Sequence, residues 1–148
     1  MKYFDFNTED YDKLSISQLK RLTDFWLRQY LLNTTERSGG RYYCPLKQRW
    51  YSEDKMNVTH YYDRQIMCLR YSLENTRLVS LQSNQWDAQE LVEGYKSKHH
   101  KEYEEYLISE LGEKNMQELL VKSKKICIFA RQDYIDLIEK FRDGGKES

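Results

Sequence analysis

Apolar residues recur at threes and fours along Ile16, Leu19, Leu22, Phe25, Trp26 and Tyr30, the spacing of one helix face. Ser15 followed by Gln18 supplies a capping box just ahead of them, so a helix is predicted to open there. Leu27, Leu31 and Leu32 widen its apolar face. Such a helix is buried on more than one side or docks a partner. The polar stretch 33–40, closed by Gly39-Gly40, reads as a loop. Beyond it the period shortens. Strands are predicted at 41–44, 49–51 and 58–62, the apolar run 66–71 reads as a further strand, and a turn at 73–76 leads to a last one at 77–82. Residues 61–73 also fit an amphipathic helix with Tyr62, Ile66, Leu69 and Leu73 on one side.

Asp87 with Glu90 forms a second capping box. A long helix is predicted from there to about Leu111, with Leu91, Tyr95, His99, Tyr103, Tyr106 and Leu107 inward, and Gly112 stops it. A short helix is expected at 115–122. The run 125–130 (KICIFA) is the strongest strand signal, continuously apolar between charges. A final helix is expected at 133–142, with Tyr134, Leu137, Ile138 and Phe141 on one face. The pattern predicts an α+β fold: an N-terminal helix, a small antiparallel sheet in the middle, a long helix, a late strand and a C-terminal helix. A mostly α-helical fold is the alternative, should 56–73 turn helical. At 148 residues one domain is expected, with 1–14 as a docking segment and 144–148 as a polar tail.

Composition changes this picture in two places. The hydrophobic fraction is 39%, but thirteen Tyr, five Phe and three Trp supply large burial areas, which argues for a packed core over disorder. The 24 basic and 24 acidic residues cancel, so no global field draws the chain to nucleic acid or an anionic membrane. Residues 38–83 carry a small basic excess and residues 84–148 a small acidic one. No apolar run approaches the length of a membrane span, and the acidic start lacks the apolar core of a secretory signal. The sequons at Asn33 and Asn57 are then chance matches. Cys44, Cys68 and Cys127 are odd in number with no CxxC spacing, so a reducing compartment is expected, with Cys68 and Cys127 as core thiols.

Catalytic and cofactor chemistry finds little support. There is no phosphate-cradling glycine loop and no nucleophile elbow. Cys44, His60, Cys68, His99, His100 and Cys127 are scattered, without metal-ligand spacing, so no metal and no cofactor are expected. His60, beside Tyr61, Tyr62 and Asp63, is the histidine closest to a site; a half-buried hydrogen-bonding role is its simpler reading. His99-His100 with Glu104 and Glu105 one turn on reads as a solvated face.

The segment 41–71 holds six Tyr and one Trp among four Arg and two Lys. Such rings either fill a core, anchor a protein interface or stack on bases. Core packing is the first of these readings and nucleic-acid stacking the last, since no RNP-like pattern is present. The candidate contact residues are Arg49, Trp50, Tyr51, Tyr61, Tyr62 and Arg64. Phe4, Phe6 and Tyr11 in the acidic lead form a second patch, which orders on a partner or folds as a flap over its own core. The functional expectation is a non-enzymatic protein-binding adaptor or accessory subunit, intracellular, in the cytoplasm or nucleus. The alternative is a single-stranded nucleic-acid (RNA) binder using the same aromatic-basic residues.

Overall fold

Ser15 and Gln18 cap the first helix reciprocally. The Gln18 amide donates to Ser15 Oγ at 3.1 Å and the Ser15 amide donates to Gln18 Oε1 at 2.9 Å. The helix they open, α1, spans Ile16–Thr34. It was located in a computed structural model that describes residues 4–81 and 98–144. The described elements after α1 are β1 (Arg37–Ser38), β2 (Arg41–Cys44), β3 (Arg49–Tyr51), β4 (Met56–His60), α2 (Met67–Arg70), β5 (Thr76–Ser80), α3 (Lys98–Ser123) and α4 (Arg131–Gly144). Helices combined with two small antiparallel sheets make an α+β arrangement. The predicted helix start at Asp87 and Glu90, with Leu91, Tyr95 and the His99 side chain, lies outside the described residues, as does the tail after Gly144.

The chain divides into two compact units, one drawn from Met1–Thr34 and Ile128–Ser148, the other from Thr35–Cys127. In the first, α1 packs on α4. Leu19, Leu22, Thr23, Leu27, Leu31 and Leu32 are buried along α1, a wide arc as the sequence implied, and Tyr134, Ile135, Ile138, Phe141 and Arg142 along α4. Each fully buried leucine contributes roughly 2 kcal/mol. Tyr30 and Phe141 lie 5.7 Å apart ring to ring. The approach is close at the end of α4, where a Cβ on Gly144 would sit 3.1 Å from the Tyr30 ring.

In the second unit, β1-β2-β3 form one antiparallel sheet and β4-β5 another. Gly39 and Gly40 both hold left-handed φ, 58° and 77°, so that Ser38 pairs with Arg41 across a two-residue turn. Only glycine-like residues enter that primed geometry freely, and the segment read as a plain loop is therefore a hairpin. In the second sheet the register runs from Met56 opposite Ser80 to His60 opposite Thr76. α3 begins the far side of a core centred on Tyr61, Tyr103 and Leu107, with Leu46, Tyr62, Tyr106, Leu111 and Met116 around them. At Gly112 α3 breaks, with φ 82° and ψ 160°. No atom crowds that position, so Gly112→Ala is expected to lose about 1–2 kcal/mol from backbone strain alone. Urea denaturation measures it, and an unchanged midpoint refutes it.

Three expectations are corrected. The run 66–71 is not a strand: Met67–Arg70 is a single helical turn, because the chain must double back for β5 to pair with β4. The run 125–130 joins no sheet among the described residues; Ile126 and Ile128 are 91% and 90% exposed. Its apolar pattern matched a strand, yet a strand exists only where a ladder partner meets it. Cys68 and Cys127 are not core thiols. They form a disulfide, with Cα atoms 5.1 Å apart across 59 residues of sequence, which removes the basis for expecting a reducing compartment; the buried free thiol is Cys44.

Candidate functional site

Alternation along the β2–β3 hairpin decides which aromatic rings share a face. Tyr43 lies opposite Trp50, Tyr42 opposite Tyr51 and Cys44 opposite Arg49. Successive side chains of a strand point to opposite sides, so Arg41, Tyr43 and Trp50 share one face and Tyr42, Cys44, Arg49 and Tyr51 the other. Cys44, on the second face, is fully buried and its sulfur accepts the Ser80 amide at 3.3 Å. The first face is the open one: Arg41 is exposed, and Trp50 is 39% exposed. The Trp50 ring meets Tyr43 edge to face at 5.2 Å, a geometry that holds both rings in place. At the hairpin tip the Gln48 amide donates to the Cys44 carbonyl at 2.8 Å, with Gln48 in the left-handed region at φ 53°.

The contact residues named from sequence therefore do not converge on one surface. Trp50 and Arg49 are exposed but lie on opposite sides of β3; Tyr51 is half-buried beside Arg49. Tyr61 is a correction: it is 4% exposed and belongs to the core. Its ring stacks on His100 at 4.6 Å and meets Tyr62 and Tyr103 edge to face. Tyr62 is half-buried, and Arg64 is exposed with its carbonyl accepting from Arg70 Nη1 at 3.2 Å. In the acidic lead, Phe6 stacks on Phe25 at 4.4 Å, Arg21 lies 4.8 Å from the Phe4 ring, and the Trp26 indole donates to the Phe6 carbonyl at 3.2 Å. Tyr11 Oη accepts from Arg142 Nη1 at 2.7 Å. Phe4, Phe6 and Tyr11 thus pack on their own unit as a flap.

Beneath the rings lies a polar network that the sequence did not single out. Asn75 is fully buried; its Nδ2 donates to the Tyr62 and Leu69 carbonyls, both at 3.1 Å, and its Oδ1 accepts the Tyr62 amide at 2.9 Å. Tyr103 Oη donates to the Thr59 carbonyl at 2.8 Å. His60 Nε2 lies 2.8 Å from the Arg70 carbonyl and His100 Nε2 lies 3.2 Å from the Tyr61 carbonyl. A carbonyl can only accept, so each Nε2 carries the proton and acts as a structural donor. The one hint in the sequence was the placement of Asn75 in a turn, where asparagine is ordinarily favoured for local reasons.

Burial pushes the hydroxyls of Tyr61 and Tyr103 far above the ordinary tyrosine range, and the nearby Glu104 carboxylate adds to the effect at Tyr61. Tyr106 is raised by burial and by its 2.7 Å hydrogen bond to Glu110. A raised folded-state pKa favours folding below the unfolded value, about 10, and that stability is lost as pH climbs above it. Alkaline titration is expected to be biphasic. Surface tyrosines ionise first, and a cooperative step follows in which tyrosinate absorbance and loss of ellipticity coincide. A single non-cooperative titration with intact ellipticity would refute this.

Among the described residues, no three His, Cys, Asp or Glu side chains are placed to share a metal ion, and no helix is long and apolar enough to cross a membrane. No family model, curated protein or solved structure matches the chain. The geometry of the hairpin face is what bears on function.

Proposed function

We propose that this chain is a non-enzymatic protein-interaction module, an adaptor or accessory subunit of a larger assembly, that engages its partner through the Arg41–Tyr43–Trp50 face. The observation that carries the reading is the partly exposed Trp50, braced by Tyr43 on a hairpin whose other face is anchored by buried Cys44. Tryptophan, tyrosine and arginine on a rigid support are the residues that dominate protein interfaces, because a preorganised ring loses little entropy on binding. The same residues could stack on single-stranded nucleic acid, but with Tyr61 inside the core, fewer rings remain for a run of bases.

Trp50→Ala tests this. The variant is expected to stay folded, with stability within about 1 kcal/mol of the parent, since the ring is already 39% exposed beside Tyr43. It is expected to weaken partner capture from a native extract by about 2 kcal/mol, close to thirtyfold. Capture is run with and without nuclease. Partners lost on nuclease treatment, with binding that falls steeply as salt rises, would transfer the face to nucleic acid. Unfolding of the variant would make Trp50 a core residue and end the proposal.

A further inference from the structure

The turn between β1 and β2 fixes which way each main-chain group of their sheet points. Ser38 and Arg41 close a two-residue hairpin and are therefore a hydrogen-bonded pair. The alternation continues with the Tyr43 amide donating to the Glu36 carbonyl at 2.9 Å. Tyr42 and Cys44 then turn their amides and carbonyls toward β3, opposite Tyr51 and Arg49. Trp50, between those two, faces the other way. Its amide and carbonyl, and the Ser52 amide two residues on, point out of the sheet, and no hydrogen bond joins them to another described residue. β3 is an edge strand, paired with β2 alone among the described strands. An edge strand with outward ladder groups is a template for strand addition.

Charge selects the occupant. From Arg37 to Ser52 the basic residues are Arg37, Arg41, Lys47 and Arg49, and there is no acidic one. Lys47 pairs with Glu102 at 3.5 Å. Arg37, Arg41 and Arg49 are exposed, and none forms an ion pair with a described residue. A second copy paired edge to edge would bring two such sheets together, so a copy of this chain is disfavoured. A nucleic-acid strand answers the charge but has no alternating amides and carbonyls to meet those of Trp50. An acidic, extended peptide answers both. We infer that the open edge of β3 receives an extended segment of a partner protein, which pairs with the Trp50 main chain and carries acidic residues beside Arg49. This names the chemistry of the partner proposed above and rests on that reading, since Trp50 is central to both.

The test is fluorescence anisotropy of a short labelled peptide, alternating valine and aspartate, titrated with the full chain. Saturable binding is expected. The same peptide N-methylated along its backbone should not bind, because its ladder donors are gone; this arm leaves the protein untouched and holds even if a substituted chain misfolds. Ser52 has φ −66° and ψ 160°, which proline adopts, so Ser52→Pro keeps the fold while it removes an edge donor and sets a ring in its place. It should weaken the peptide by about tenfold. Arg49→Glu should lose the aspartate peptide by about tenfold and bind one that alternates valine and lysine instead. Absence of saturable binding overturns the inference, as does binding indifferent to N-methylation or to Ser52→Pro. Saturable binding of labelled oligothymidylate in place of the peptide would assign the arginines to nucleic acid and equally overturn it. Capture from a native extract separates this inference from the reading beneath it. Partners lost in Trp50→Ala but kept in Ser52→Pro would mean that the face binds through side chains alone, which sinks strand addition and leaves the proposed function standing. Capture unchanged in Trp50→Ala would remove both.

Discussion

Asn75→Asp is expected to destabilise the Thr35–Cys127 unit by about 4 kcal/mol or more, and Asn75→Ala by about 3 kcal/mol. Asn75 Nδ2 donates to two main-chain carbonyls, those of Tyr62 and Leu69, while Oδ1 accepts the Tyr62 amide. The side chain is fully buried, so no water replaces a lost partner. Alanine leaves those three groups unpaired and a small void. Aspartate is worse, since it sets a carboxylate oxygen against two carbonyl oxygens in a buried site. A pH signature separates the two variants. A carboxyl group desolvated against two carbonyl oxygens has a raised folded-state pKa, so the aspartate variant is most stable below about pH 4, the unfolded value, and loses stability as pH rises. The alanine variant shows no such trend. Urea denaturation across that range measures both, and a parent-like midpoint for Asn75→Asp at neutral pH would show that the network is not needed.

Arg142→Ala is expected to destabilise the unit containing α1 and α4 by about 2–4 kcal/mol and to release the flap formed by residues 4–14. The Arg142 side chain is 9% exposed and gathers the flap against both helices. Nη1 donates to Tyr11 Oη at 2.7 Å and Glu9 Oε1 at 3.3 Å, Nη2 donates to the Thr8 carbonyl at 3.1 Å, and the guanidinium lies 4.8 Å from the Trp26 ring. The ion pair itself is a minor part. Glu9 is 81% exposed and water screens it, so Glu9→Gln is expected to change stability by less than about 0.5 kcal/mol. The weight falls on the hydrogen bonds to Thr8 and Tyr11 and on the stacked, desolvated guanidinium. Arg142→Lys should recover little, because an ammonium lacks the planar fork that reaches these acceptors while covering a ring. Limited proteolysis within residues 4–14, read beside urea denaturation, is the measurement. A protected flap in Arg142→Ala would mean that the Phe6–Phe25 stack alone holds it.

The Arg142 result also shows what the sequence conceals. Arg142 lies one turn beyond Ile138, on the stripe that the apolar periodicity marked as buried, and a cation on such a stripe is a signal for an internal partner. Its hydrogen-bond partners, however, stand more than 130 positions earlier in the chain. No local spacing identifies them. Trp50 was legible as a candidate anchor from composition alone, but its facing ring was not among the contacts chosen: Tyr43 and Arg41 share its face, while Arg49 and Tyr51 turn away. Hairpin register settled that, and register depends on a turn in which Gln48 takes an unusual left-handed conformation.

What the sequence determined by itself is local. The Ser15–Gln18 box placed the start of α1, the strands Arg41–Cys44 and Arg49–Tyr51 appeared where the pattern set them, and the break at Gly112 fell at the glycine. Capping, turn chemistry and helix periodicity act over a few residues, so they can be read without the fold. Tertiary structure decided the rest. It chose a helical turn for Met67–Arg70, drew Tyr61 into the core, brought Cys68 to Cys127, and left the strand-like run at 126–129 without a ladder partner among the described residues. Each outcome depends on which distant segment arrives alongside, and a short apolar run carries the same pattern whether it is paired, buried or exposed.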